Sequence, residues 1–265
     1  MKKFISLLCM VALALPAMAL TPREIVDKAD KLDDGETSMA EMTMTLIDKK
    51  NQTRVRTIKS FRKDYGDDKK SISFFLSPAD VKNTASMGFD YEDEAKEDDN
   101  WLYLPALRKV KRIASSNKKD SFMGTDFTYH DMNGLKVGEW EYQMVKDSDM
   151  IDGQDCWVIG SMPRKDIAEE VIKDTGYTKR LVWIRKDNFV VVQGKVWVKK
   201  GNKIKVLKAS DIKQIQGIWT VGKLEMSTYA GDQKEHSTVL SFDNTVYNQG
   251  VDDNTFTTSR MEKGL

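Results

Sequence analysis

His130 and His236 are the two histidines of this chain, and acid–base or metal chemistry near neutral pH would call on them first. His130 lies between Asp126 and Asp131, so a metal or acid–base site can be drawn there. Neither HxH nor CxxC spacing accompanies it, however, and Asp126 reads more simply as a cap or turn residue. Neither histidine belongs to an HExxH helix, and no serine sits in a glycine-flanked elbow. Cys156, beside Trp157 in an apolar strand, reads as buried packing rather than as a redox group. The acidic run from Glu92 to Asp99 lacks the spaced glycine of a calcium loop and reads as a solvated connection. The chain is therefore read as a binding protein and not an enzyme, with no metal and no cofactor. A hydrolase dependent on His130 stays as an alternative.

Residue types suited to binding fall into two groups. Arg108, Lys109, Lys111 and Arg112 crowd a short segment around the apolar Leu107, Val110 and Ile113, after Trp101 to Leu104 and the strand-ending Pro105. With Trp101 and Tyr103 they form a candidate rim for docking an anionic surface or an acidic partner. A second group consists of apolar sets that alternate with polar residues: Met42, Met44 and Leu46; Ile72, Phe74 and Leu76; Leu224 and Met226; Leu240 and Phe242. These sets are either an ordinary sandwich core or the lining of an apolar cavity. Flexible methionine favours a surface that repacks around acyl chains.

The run WLYLPALRKVKRI, followed by FMGTDFTYHDM, resembles the signature of the LolA-like outer-membrane lipoprotein-sorting family, in the branch found beside RND-type membrane permeases. The likeness is specific over residues 101–132 and looser elsewhere. It implies a periplasmic carrier whose incomplete, half-open antiparallel β-barrel wraps an apolar cavity closed by helices acting as lid or plug. The ligand it implies is a lipid or an acylated lipoprotein, with an RND-type permease as a further partner. A non-carrier accessory subunit that only docks to the permease is the alternative.

The elements that must position these residues are mostly strands. Thr21-Pro22-Arg23-Glu24 is a capping box with proline at the first helical position, and Ile25, Ala29 and Leu32 share one face, so a helix opens the chain. It is either a lid or a helix packed permanently on a sheet. Period-two alternation then predicts strands at residues 40–47, 53–63, 71–76, 84–91, 139–145 and 156–162, the last two joined at Asp152-Gly153. A short helix is predicted over 167–173, and strands over 181–184, 190–192, 196–198, 204–207, 219–228 and 237–242. Arg54 and Arg56 read as solvated face residues, with a latch as the alternative. So many short strands at hairpin spacing predict a mainly β fold whose antiparallel sheet curls to limit its exposed edges.

Lys2 and Lys3, the apolar run Phe4 to Leu15 and Ala17-Met18-Ala19 have the form of a secretory signal peptide cleaved after residue 19, leaving residues 20–265 as one domain in the periplasm. Loss of Lys2 and Lys3 turns a formal charge of +1 into −1, a balance that offers no affinity for nucleic acid. With one cysteine left after processing, no internal disulfide can form, and a monomer held by its own core is expected.

Overall fold

The structure is a computed structural model that describes residues 19–93 and 95–265; the signal-peptide reading falls on residues 1–18, outside the described residues. The strands are β1 (Thr37–Ile47), β2 (Thr53–Tyr65), β3 (Asp68–Ser77), β4 (Ala85–Asp90), β5 (Asp99–Leu104), β6 (Lys109–Arg112) and β7 (Trp140–Ile151), then β8 (Gln154–Pro163), β9 (Tyr177–Arg185), β10 (Val191–Val198), β11 (Lys203–Ile215), β12 (Ile218–Ala230) and β13 (Gln233–Tyr247). Three helices, α1 (Pro22–Asp30), α2 (Ala168–Thr175) and α3 (Thr258–Lys263), complete the set. All thirteen strands form one antiparallel sheet in the order β6-β5-β4-β3-β2-β1-β13-β12-β11-β10-β9-β8-β7. The architecture is mainly β with few helices, as the alternation predicts.

Neighbours in the sheet are neighbours in the chain except at β1 and β13, which join its two halves. The free edges are β6 and β7, which the chain itself connects through residues 113–139. That segment has no strand of its own. It makes short 3-10 turns and lies over one face of the sheet, called here the inner face.

Local chemistry accounts for the boundaries. Thr21 accepts from the Glu24 amide at 3.2 Å while Glu24 accepts from the Thr21 amide at 2.8 Å, so α1 starts at the predicted capping box. Ile25 and Val26 are buried among Val137, Ile159 and Ile184, which seats α1 on the inner face over β7 to β9. Asp152 and Gly153 both take left-handed backbone angles, as a two-residue hairpin turn requires, and join β7 to β8. The expectation of separate strands at 190–192 and 196–198 is corrected: β10 runs through Gln193-Gly194-Lys195 without interruption, because its ladder to β9 and β11 continues across those polar residues.

The opposite, outer face is covered over β2 to β6 by the carboxy-terminal segment. Phe256 and Met261 pack there on Ile72, Phe74, Ala85, Met87 and Tyr103. Among the described residues no helix is long and apolar enough to cross a membrane.

Candidate functional site

Cross-strand register decides which side chains share the inner face, because residues directly opposite each other in a ladder point the same way. Leu224 opposes Leu240, which opposes Met44; Phe242 opposes Met42, which opposes Ile58, which opposes Phe75. The row above reads Leu207, Met226, Thr238, Leu46, Arg54. Seven of the expected residues, Met42, Met44, Leu46, Leu224, Met226, Leu240 and Phe242, are thus brought together on one face and in one apolar cluster.

Ile72, Phe74 and Leu76 are not part of it. On β3 the residue facing inward is Phe75, so Ile72 and Phe74 point outward under α3, while Leu76, 40% exposed, falls where the register with β2 shifts. Alternation correctly gave Ile72 and Phe74 a common face. With Phe74 and Phe75 adjacent, it could not say which face was inner.

The segment 113–139 acts as a plug. Phe122 and Phe127 insert into the cluster of Met42, Met44, Ile58 and Phe75, and Arg56 donates from Nη1 to the Met123 carbonyl at 2.8 Å. Arg56 is therefore a tether rather than a solvated face residue, and burial lowers its pKa. Asp126, 3% exposed, is the main anchor. Its carboxylate accepts from Thr228 Oγ1 at 2.6 Å and Thr238 Oγ1 at 2.7 Å and pairs with His236 Nδ1, while its amide donates to Thr238 Oγ1 at 3.0 Å. The reading of Asp126 as a cap or turn residue is corrected accordingly. Its four bonds all reach β12 and β13, and no local pattern in the sequence joins positions 126, 228, 236 and 238.

His130 is not part of this anchor. It lies in the next turn of the plug, where burial lowers its pKa. Asp131 accepts from Tyr177 Oη at 2.7 Å and from the Thr128 amide at 2.8 Å, with Lys205 Nζ 3.8 Å away. Burial, then the Asp131 charge, holds the Tyr177 hydroxyl well above its usual range; burial lowers Lys205. Among the described residues no three histidine, cysteine or acidic side chains converge as a metal site.

Among the described residues, two of the cavities lie on the inner face, with the plug lining both. The first, about 570 Å3, is bounded by Met42, Met44, Ile58, Phe75, Leu240 and Phe242, and by the plug's Phe122, Met132 and Asn133. Toward β3, β4 and β5 its wall becomes small and polar, with Ser71, Ser73, Ser86, Gly88 and Asn100. The second, about 1120 Å3, opens between the β1–β2 turn, α2, the ends of β10 to β13 and the plug residues Ser121, Gly124, Thr125, Asp126 and Thr128. Lysines and Arg54 border it, with Leu46, Ile47, Ile172 and Val198 between them.

The expected rim does not line either cavity. Trp101 and Tyr103 face outward into the α3 cluster, Trp101 edge-on to Phe89 with ring centroids 4.8 Å apart. Arg108 occupies a left-handed turn position after the Pro105–Leu107 turn, and Lys109, Lys111 and Arg112 are exposed on the edge strand β6, with Arg112 paired to Asp99. The proline does end a strand as expected. Residues after it return as a hairpin along the sheet edge, not over an opening, because Lys109 to Arg112 pair with Trp101 to Leu104.

The acidic run is only partly solvated. Asp98 is buried, accepting from the Tyr91 amide at 3.2 Å and Asn133 Nδ2 at 3.1 Å, with Lys136 Nζ at 3.6 Å. Asp90 beside it accepts from the Gly134 amide at 3.0 Å, and burial together with the Asp98 charge pushes its pKa up to about 6. This cluster fastens the far end of the plug to β4. Cys156 is fully buried, and burial raises its pKa.

A family model described as that of an uncharacterized protein matches residues 67–263. No curated protein matches the chain. Among solved structures, a DUF1329 family protein from Desulfovibrio piger is 29% identical, with a TM-score of 0.81 over 91% of this chain and 97% of its own. A domain from Vibrio parahaemolyticus, assigned provisionally as an outer membrane lipoprotein-sorting protein, is also 29% identical, with a TM-score of 0.80 over 91% of this chain and 98% of its own. A LolA superfamily protein from Nitrosomonas europaea shares the fold at 17% identity, with a TM-score of 0.67 over 91% of this chain and 99% of its own.

Proposed function

From a chain that belongs to the family whose model spans residues 67–263, and that carries the LolA-like fold, we propose a periplasmic carrier of a hydrophobic ligand, either a lipid or the acyl chains of a lipoprotein. The observation that carries this reading is the unfilled, methionine-lined cavity of about 570 Å3 on the inner face of the sheet. A close-packed interior would leave no such volume, since protein cores pack at the density of organic crystals. An acyl chain entering it removes apolar area from water at roughly 25 cal/mol per Å2, with no covalent step required. Met42 and Met44 suit that role because an unbranched thioether changes rotamer cheaply around different chains.

The plug is the natural moving part. Its polar tethers, Arg56 to the Met123 carbonyl and Asp126 to β12 and β13, can be replaced by water when it lifts, while Phe122 and Phe127 give up their places in the cluster to the incoming chain. In this reading the β6 edge, where Arg108, Lys109 and Lys111 are exposed, faces an acidic partner such as an RND-type inner-membrane permease. A role limited to docking would leave the cavity without a use.

Natively purified protein should carry lipid or acyl chains detectable by mass spectrometry after solvent extraction. Phe242, half-buried at the cavity wall, gives the matching variant: Phe242→Glu should weaken binding of a fluorescent fatty acyl probe by about tenfold or more, because a carboxylate must desolvate beside the chain. Unchanged probe affinity in a Phe242→Glu protein of normal thermal midpoint would overturn the assignment of the cavity.

A further inference from the structure

The larger cavity concentrates charge that the chain as a whole does not have. Overall the formal charge is +1, yet Arg54 and six lysines border this one volume against Asp48, Asp120 and Asp126. Asp126 is already committed to Thr228, Thr238 and His236, and Asp48 Oδ1 accepts from the Lys50 and Gln52 amides. Lys203 pairs with Glu235 and Lys205 with Asp131, but among the described residues Arg54, Lys173, Lys199 and Lys200 make no ion pair. Like charges around a concavity raise its potential together and favour an anion within it.

The same volume is also apolar in part. Leu46, Ile47, Ile172 and Val198 contribute to its wall, and at about 1120 Å3 it exceeds the roughly 300–1,000 Å3 of a drug-sized site, far more than a bare ion fills. The sheet register sets apolar side chains beside the charged floor. On the floor, Lys205, Thr228 and His236 stand in one cross-strand row, and the next row is Leu207, Met226, Thr238 and Leu46, whose apolar members pack in the cluster of Met42 and Met44. A ligand with its charge at the lysines would therefore meet apolar side chains one strand step further in.

We propose that the ligand is an anionic amphiphile with a headgroup of the phosphate class, its oxyanion held among Lys173, Lys199, Lys200 and Arg54 and its chain running past Leu46 toward the methionine-lined cavity. This deepens the carrier reading and rests on it. Lysines on two different elements, α2 and the β10–β11 turn, neutralise a mobile phosphate as point charges and need no fixed fork geometry. The plug, which lines both cavities, then has to shift for the chain to pass.

Three probes separate the possibilities by calorimetry on the full protein below any micelle concentration: lauroyl lysophosphatidate, monolauroylglycerol and glycerol phosphate. The first two share a chain and differ by the phosphate; the third carries the phosphate alone. Lauroyl lysophosphatidate should bind about tenfold tighter than monolauroylglycerol at low salt, a gap that narrows as salt screens the exposed lysines. A Lys199→Gln/Lys200→Gln protein should lose most of that gap while binding monolauroylglycerol as before. Equal binding of the two lauroyl ligands to the unaltered protein overturns the headgroup assignment and leaves the carrier reading standing. Glycerol phosphate binding as tightly as lauroyl lysophosphatidate makes this a site for a small anion and also overturns the proposal. If neither lauroyl ligand binds, the carrier reading fails, and this inference with it.

Discussion

The two faces of strand β3 show the same sequence alternation put to opposite uses. Outward, Ile72 and Phe74 meet Ala85, Met87 and Tyr103 under Phe256 and Met261, and Phe61 closes edge-on against Phe74 with centroids 6.2 Å apart. That side is filled. Inward, the same strand offers Ser71, Ser73 and Phe75, and its neighbours add Ser60, Ser86, Gly88 and Asn100. Side chains this small cannot reach across the sheet's curve, so the volume stays open, and Ser60 and Ser73 satisfy each other at 2.9 Å instead. The contrast teaches that hydrophobic pattern sets burial, whereas side-chain volume on the facing surface sets whether burial produces a core or a cavity.

The largest expected effect lies on the filled side. Phe74→Glu places a charge at a site that is 2% exposed and should cost about 4 kcal/mol or more in urea-induced unfolding, whereas Ser73→Val on the hollow side should cost less than about 1 kcal/mol. Comparable losses at the two adjacent positions would erase the distinction between the faces.

An intermediate effect is expected at the plug. Asp126→Asn keeps the shape but weakens the bonds from Thr228, Thr238 and His236, and should cost about 2 kcal/mol, with hydrogen exchange accelerating over residues 118–133 before the strands respond. Uniform acceleration through β12 and β13 would show that Asp126 belongs to the global core and not to a movable plug.

The last effect is the smallest at low pH and grows as pH rises. Burial beside Asp98 raises Asp90 to about 6, above its unfolded value, so its contribution to stability is fully present below the unfolded pKa and is lost as pH rises through about 6. Asp90→Asn is neutral at every pH. It should nearly match the unaltered protein near pH 4 and exceed it by about 2–3 kcal/mol near pH 8, measured as the difference in unfolding free energy. A pH-independent difference would mean that Asp90 stays charged throughout.

Much of the strand layout was legible in the sequence, because period-two alternation and the left-handed Asp152-Gly153 pair are local consequences of backbone geometry. Helix α1 was legible for the same reason, its capping box lying within four consecutive residues. The candidate site was legible only in part. Met42, Met44, Leu46, Leu224, Met226, Leu240 and Phe242 were found as a set, while Phe75 was passed over for Phe74 and the basic run at 108–112 was given an opening it does not border. Lys173 lies far in the chain from the adjacent Lys199 and Lys200, and no local signal joined them.

By itself, then, the sequence determined what each segment could become: a half-buried strand, a capped helix, a hairpin, an aromatic loop able to pack. Tertiary structure alone decided which face is inner. That choice depends on β1 pairing with β13, which fixes the register of both halves at once, and on where the segment 113–139 folds back. Asp126 shows the physical reason most plainly. A buried carboxylate is tolerated only where donors meet it, and Thr228, His236 and Thr238 become neighbours only after β12 and β13 have paired.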